Sequence, residues 1–373
     1  MKKQGRFEEG KGGDFRVIVA GGGTGGHLFP GVAVGKEILD RYPKSEILFV
    51  TGGRKIESHI LTVTGFKHAS INVEGIKGRG WINAIKVMAK LPYGFAQCVS
   101  IIKRLSPHLV FGVGGYCAGP VCLAAWIMRI PTAVHEQNSF PGLTNRLLSM
   151  IVDKVFISFE SSRDYFSGGS VFLTGNPIRH EFLEQKEAPR KTEKRFSILV
   201  TGGSQGAIAI NKTFVAALEI VKGRGKDPLV IHHTGDEDFD RVVQDYRERG
   251  LRADIRPFIL DMQSAYCQAD IFLGRAGAGT IFELAALGKP SILIPYPHAA
   301  NNHQEANAQA LAKVGGTEII PQEEFSAKRL ADLLIKYMDN RIALKKMGEQ
   351  ARKVARPDAA QVIVDHLEEM MRN

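Results

Sequence analysis

The sequence predicts an α/β protein of two doubly wound parallel-sheet domains. Three observations predict it. The chain has 373 residues, long for one hydrophobic core and comfortable for two. Short apolar runs alternate with glycine-rich turns and helical stretches, the pattern of a parallel sheet covered on both faces. That pattern then restarts near the middle of the chain, at Phe196.

The first half opens with the strand Phe15–Ala20, the turn Gly21-Gly22-Gly23-Thr24-Gly25-Gly26 and a helix expected from about Gly31 to Arg41. Further strands are expected at Ile47–Thr51, Leu109–Val113 and Thr132–His135. The second half opens with Phe196–Thr201, then Gly202-Gly203-Ser204-Gln205-Gly206-Ala207 and a helix. Its later strands are Leu229–His232, Asp270–Leu273 and Ser291–Ile294. The polar stretch Asn176–Arg195 is the expected junction, so the domains run 15–176 and 177–356, with a last helix in 357–373. Residues 1–14 are rich in Lys, Gly and Glu and read as a flexible leader without the apolar core of a signal peptide. Two such domains facing each other would form a cleft at the carboxyl ends of their strands, where open α/β sheets bind ligands.

Composition narrows the function classes. Apolar residues make up 44% and charged residues 24%, a globular balance, and no apolar run nears the ~20 residues that span a bilayer. The four cysteines form no CxxC pair, which argues against a zinc site or a disulfide framework. Residues 1–176 hold 21 Lys/Arg against 12 Asp/Glu, and residues 177–373 hold 28 against 27. The positive charge therefore sits in the first half, which points to an anionic partner there.

Four glycine turns carry the chemistry: Gly21–Gly26, Gly112–Gly119, Gly202–Gly206 and Gly274–Gly279. Glycines let main chain approach a phosphate, and the helix that follows offers free N–H groups. Gly21-x-Gly23-x-x-Gly26 formally matches a dinucleotide fingerprint, but the second strand ends Val50-Thr51-Gly52-Gly53, without the carboxylate that holds an NAD ribose. Another diphosphate ligand fits better. His27 follows the first turn, and an imidazole near neutral pKa suits a general base. His135-Glu136-Gln137-Asn138 ends a strand and makes a polar platform. Ala276–Glu283 opens a helix with small residues, and Glu283, expected in about its first turn, would accept two ribose hydroxyls. Gln304 would read sugar hydroxyls. Asp236-Glu237-Asp238 reads as helix-start caps rather than a metal site, and His232-His233 point to opposite faces of their strand. Neither metal nor cofactor is expected.

Lys77-Gly78-Arg79-Gly80-Trp81-Ile82, with Ile85, Lys86, Met88, Lys90, Leu91, Tyr93 and Phe95, mixes basic and large apolar residues as a membrane-surface segment does. Trp126, Met128 and Arg129 would belong to the same patch.

Together these motifs resemble the MurG family, the UDP-N-acetylglucosamine:N-acetylmuramyl-(pentapeptide) pyrophosphoryl-undecaprenol N-acetylglucosaminyltransferases of peptidoglycan synthesis. The resemblance runs from about Phe15 to the C-terminus. It rests on Gly22–Gly31, Gly114-Gly115-Tyr116 with Gly119-Pro120, His135–Asn138, Gly175-Asn176-Pro177-Ile178-Arg179 and Gly202–Ala207. It implies a GT-B fold with the last helix returning to the first domain. It also implies inverting transfer of N-acetylglucosamine from UDP to the 4-hydroxyl of an undecaprenyl-diphosphate-linked muramyl-pentapeptide. By matched position it puts donor contacts on Thr24, Gly25, Gly26, Asn138, Arg179, Ser204, Ile259, Ala278, Gly279, Thr280, Ile281, Phe282, Glu283 and Gln304. Ile259 would approach the uracil, the Ser204 turn the donor phosphates, and the first two glycine turns the acceptor diphosphate. His27 would be the base. The implied partners are UDP-N-acetylglucosamine, the lipid-linked acceptor and an anionic membrane surface, with no nucleic acid, at the cytoplasmic side of the bacterial inner membrane. The sequence departs from the family at Asn301, where an acidic residue is frequent. Rival readings are a transferase for another lipid, a UDP-N-acetylglucosamine 2-epimerase and a polyanion-binding protein.

Overall fold

The computed structural model describes residues 14–23, 25–73, 81–168, 170–183, 195–203 and 205–372, and for 81–91 the backbone alone. Most of the leader, Thr24, Lys77–Gly80 and Ser204 lie outside the described residues. The chain divides into two compact units, Met1–Arg179 with Arg356–Asn373, and His180–Ala355.

The first unit holds a parallel sheet of β1 (Arg16–Ala20), β2 (Glu46–Thr51), β3 (Lys67–Ser70), β4 (Leu109–Gly112), β5 (Thr132–Glu136), β6 (Lys154–Ile157) and β7 (Ser170–Leu173). Its order is β3-β2-β1-β4-β5-β6-β7. Strand periodicity explains the central run Val17-Ile18-Val19-Ala20. Val17 and Val19 join one core cluster, while Ile18 and Ala20 join another on the opposite face. The C-terminal helix Ala359–Arg372 adds Ile363, Val364, Leu367, Met370 and Met371 to the first cluster, a helical spacing that buries one face. Arg41 ties its outer side through Asp365 at 2.5 Å. Truncating the fully buried Leu367 to Ala would cost roughly 2–5 kcal/mol.

The second unit repeats the plan with β8 (Ser197–Thr201), β9 (Leu229–His233), β10 (Asp254–Arg256), β11 (Ile271–Gly274), β12 (Ser291–Leu293) and β13 (Glu318–Ile319). The order is β10-β9-β8-β11-β12-β13, again parallel. Each sheet therefore reverses its winding beside its first strand, between β1 and β4 and between β8 and β11. All four glycine turns follow those four strands, so each unit brings two of them together at its switch point.

Three local expectations are corrected. The first helix runs Gly25–Arg41, six residues longer at its start than glycine propensity and Pro30 suggest, because burying Leu28 outweighs propensity. His27 thus lies in the helix's first turn. Asp238 stands at the start of the helix Phe239–Glu248 but does not cap it, since its carboxylate is drawn to Arg241 and to Asn211 Nδ2 at 2.7 Å. Phe95 packs against the core of the first unit instead of joining a surface patch.

Candidate active site

In the first unit the turns after β1 and β4 touch through main chain. Gly115 has φ +78°, and a Cβ there would sit 2.4 Å from Gly22 O. No other residue type fits that contact without moving the turn.

Gln137 organises the ground between these turns and β5. Its Nε2 donates to Val113 O at 2.8 Å, which assigns the amide orientation and turns Oε1 toward His27 Nδ1, 3.1 Å away. An amide oxygen only accepts, so Nδ1 of His27 carries the proton and Nε2 keeps its lone pair. His27 is half-buried, and this is the tautomer and orientation of a general base. The same Gln137 Nε2 lies 3.2 Å from His135 Nδ1, and His135 Nε2 donates to Gly175 O at 3.1 Å. Burial lowers the His135 pKa to about 4, so it remains a neutral hydrogen-bonding ring.

Glu136 is engaged on both oxygens. Oε1 accepts from Asn138 N at 2.9 Å and Asn138 Nδ2 at 3.2 Å; Oε2 accepts from Gly142 N at 3.1 Å and Asn145 Nδ2 at 2.9 Å. This buried side chain shapes the loop that presents half-buried Asn138 and has little capacity left to serve as a base. Gly25 is half-buried and Gly26 exposed at the helix start, and the Arg179 guanidinium sits 5.0 Å over the Phe29 ring. Gln137 was legible only as one of four polar residues; its part depends on contacts far along the chain.

In the second unit, Gly203 N donates to Thr201 Oγ1 at 3.0 Å. Gly206, at φ +76°, lies against the β9 end so closely that a Cβ would be 2.0 Å from Thr234 O. Asn211 Nδ2 holds that same carbonyl at 3.0 Å, with His232 Nε2 at 3.1 Å from its Oδ1. Adjacent His233 turns the other way, to Thr201 Oγ1 at 3.0 Å, as strand alternation requires.

The helix Ala278–Leu287 starts at extended Gly277 after β11. Ala278, Ile281 and Phe282 bury their side chains, so their contribution to a ligand is main chain, while Gly279 faces open space and Thr280 is half-buried. Glu283 lies in the second turn, beyond the reach of a helix-end charge effect, and accepts from Tyr266 Oη at 3.3 Å. Ile259 has a buried side chain between exposed Phe258 and Leu260, so it too offers main chain. Gln304 Oε1 accepts from Tyr296 N at 3.0 Å. Asn301 and Asn302, just before it, both have φ +55°, a conformation asparagine tolerates well. Sequence reasoning missed Arg275. Burial lowers its guanidinium to about 10, and it donates to Ile294 O at 3.0 Å and Gln322 Oε1 at 2.6 Å, pinning the loop after β12.

A separate face of the first unit is apolar. The packed helices Ala118–Ile127 and Leu143–Leu148 expose Leu123, Trp126, Ile127, Leu143 and Leu147, with Met150 beyond them. Arg129 and Arg146 are exposed among these residues. Among the described residues no helix is long and apolar enough to cross a membrane.

Two parallel-sheet units with paired glycine turns at their switch points, one bearing an oriented histidine and the other a small-residue helix start with a carboxylate one turn further on, have the make-up of a GT-B glycosyltransferase. The glycosyltransferase family 28 N-terminal domain matches residues 17–157, and the family 28 C-terminal domain matches residues 197–363. A UDP-N-acetylglucosamine–N-acetylmuramyl-(pentapeptide) pyrophosphoryl-undecaprenol N-acetylglucosamine transferase of Geobacter sulfurreducens is 45% identical over 94% of this chain and 98% of its own. The enzyme of that name from Geobacter metallireducens is 46% identical over 94% and 98%. The crystal structure of Acinetobacter baumannii MurG superposes with a TM-score of 0.76 at 30% identity, covering 95% of this chain and 99% of that one. The chain belongs to the MurG family of N-acetylglucosaminyltransferases. A UDP-N-acetylglucosamine 2-epimerase from Neisseria meningitidis has a TM-score of 0.67 at 14% identity over 95% and 100%, a likeness of fold alone.

Proposed function

We propose that this chain transfers N-acetylglucosamine from UDP-N-acetylglucosamine to the 4-hydroxyl of undecaprenyl-pyrophosphoryl-N-acetylmuramyl-pentapeptide, with inversion at the sugar's C1. The observation that carries this reading is the 45% identity, over nearly the full length of both chains, to a transferase named for that reaction.

In this reading His27 Nε2 takes the proton of the acceptor 4-hydroxyl as its oxygen forms a bond to C1. The bond from C1 to the UDP oxygen breaks, and UDP leaves with the electron pair. Gln137 holds the imidazole in the required tautomer, a role supported by its 3.1 Å contact with Nδ1. The first two glycine turns receive the acceptor diphosphate, and Thr24, Gly25, Gly26 and Asn138 the transferred sugar. The turn holding Ser204, with Arg179 and Ala278–Phe282, receives the donor diphosphate largely through main-chain N–H groups. Glu283 takes the ribose hydroxyls, the Ile259 main chain the uracil, and Gln304 the sugar. The domains that share this work are 15–176, with the helix in 357–373, and 177–356. The lipid tail of the acceptor places the enzyme peripherally at the cytoplasmic face of the inner membrane. Exposed Trp126, Ile127 and Leu147 beside Arg129 and Arg146 support docking of this face on an anionic membrane surface.

The test is a transfer assay with radiolabelled UDP-N-acetylglucosamine and the lipid-linked muramyl-pentapeptide. Labelled disaccharide lipid is expected. No product, or conversion of the free nucleotide sugar without acceptor, would overturn the reading.

A further inference from the structure

Glu57 lies outside every motif that points to function, yet its side chain is fully buried against the first glycine turn. It stands in the first turn of the helix Lys55–Val63, and its two oxygens face two different main-chain donors. Oε1 accepts from Gly23 N at 2.6 Å, and Oε2 accepts from Arg54 N at 3.0 Å. Arg54 then reaches back, its Nη1 donating to Gly23 O at 3.4 Å. The Arg54 guanidinium also lies 5.6 Å over the Tyr116 ring, and Tyr116 follows the second glycine turn. Both main-chain polar groups of Gly23, its N–H and its carbonyl, are thus held by an acid and a base from a neighbouring helix start. The fit extends to Gly22, where a Cβ would stand 2.7 Å from Glu57 Oε1.

Burying a carboxyl group is costly, and a turn that needed only to close would not require one. Glutamate is chemically specific here. Both oxygens accept from N–H groups, so glutamine in either amide orientation would set an NH2 against a donor. The turn carries directly into the helix that bears Gly25, Gly26 and His27. Gly23 N is already taken, so it is not available to a ligand; the N–H groups at the start of that helix are.

We propose that Glu57, assisted by Arg54, is a positioning residue for sugar transfer: it clamps the first glycine turn so that Gly25, Gly26 and His27 meet the reacting sugars in register. The inference rests on the transfer reaction proposed above. Misplacement of a catalytic group by about 1 Å costs on the order of 100-fold in rate.

The full-length wild type, Glu57→Gln and Arg54→Ala would be compared for kcat and KM in lipid-acceptor transfer, for UDP affinity by calorimetry and for Tm. For Glu57→Gln, kcat is expected to fall about 30- to 100-fold. UDP affinity should stay within about threefold, because Glu57 and Arg54 touch none of the residues read as nucleotide contacts, most of which lie in the other unit, and Tm should change by only a few degrees. For Arg54→Ala, whose exposed side chain can be lost without opening the core, a kcat loss of about five- to tenfold is expected. Wild-type kcat in Glu57→Gln overturns the proposal. So does a Glu57→Gln loss in which kcat, UDP affinity and Tm fall together, the mark of a purely structural role. If Glu57→Gln does not fold, Arg54→Ala decides alone, and unchanged kcat there overturns the clamp. A wild type that transfers nothing overturns the proposed reaction and, with it, this role.

Discussion

Gln137 Oε1 lies 3.1 Å from His27 Nδ1, and the donation of Gln137 Nε2 to Val113 O leaves that oxygen no other orientation. The imidazole therefore presents an unprotonated Nε2. Removing the imidazole in His27→Ala should lower kcat by about 10²- to 10⁴-fold, the usual worth of a general base. Gln137→Ala keeps the base but frees its ring and tautomer, so a smaller kcat loss of about tenfold is expected, with little change in donor KM. Steady-state transfer kinetics check both, and a fully active His27→Ala would refute the assignment of the base.

Glu283 is half-buried and held by Tyr266 Oη, so its carboxyl group is oriented before a ligand arrives. A hydrogen bond to a charged group contributes about 1.5–3 kcal/mol. Glu283→Ala should accordingly weaken UDP binding by about 10- to 100-fold in calorimetry while leaving kcat at saturating donor within a few-fold. Tyr266→Phe should have a lesser effect in the same direction. UDP affinity unchanged in Glu283→Ala would remove this residue from the donor site.

The apolar face around Trp126 should bind anionic vesicles. Replacing Trp126 and Leu147 together by glutamate removes two exposed apolar side chains and adds two negative charges. Co-sedimentation with vesicles containing phosphatidylglycerol should fall at least about tenfold, with Tm within a few degrees of wild type because neither side chain is in the core. Equal sedimentation of variant and wild type would show that this face does not meet the membrane.

Two buried histidines make the fold acid-sensitive. Burial lowers His135 to about 4 and His232 to about 3, against an ordinary 6.5. Below pH 6.5 the unfolded chain binds protons that the folded chain refuses, so stability falls as pH falls through that value toward the folded pKa. Each histidine should cost roughly 2 kcal/mol between pH 7.5 and 5. Urea unfolding at the two pH values tests this, followed by fluorescence and circular dichroism. Equal midpoints would contradict neutral burial of the two rings. Above pH 7 no dependence from these groups is expected.

Strand alternation and helical spacing made much of the fold readable. Val17-Ile18-Val19-Ala20 is apolar on both faces because both faces are covered, and such a run stands out in any context. The edge strand Lys67–Ser70 is largely exposed and carries no such signal, so it escaped notice. The glycine turns were legible because main chain can approach main chain that closely only without a side chain, as at Gly115 and Gly22.

What the sequence determined by itself was the repeated strand, glycine turn and helix, the family, and which short segments bear the polar groups. What only the tertiary structure decided was which of those groups meet. Gln137 stands 110 residues from His27, and Glu57 stands 34 from Gly23. Those pairs exist because parallel strands deliver distant loops to one end of a sheet. Tertiary packing likewise turned the Ile281 and Phe282 side chains inward, leaving main chain and Thr280 at the start of that helix, and Glu283 in its second turn, as what it offers. Local pattern records each residue's own preference for strand, turn or helix; hydrogen bonds across the switch point depend on where the whole sheet places them.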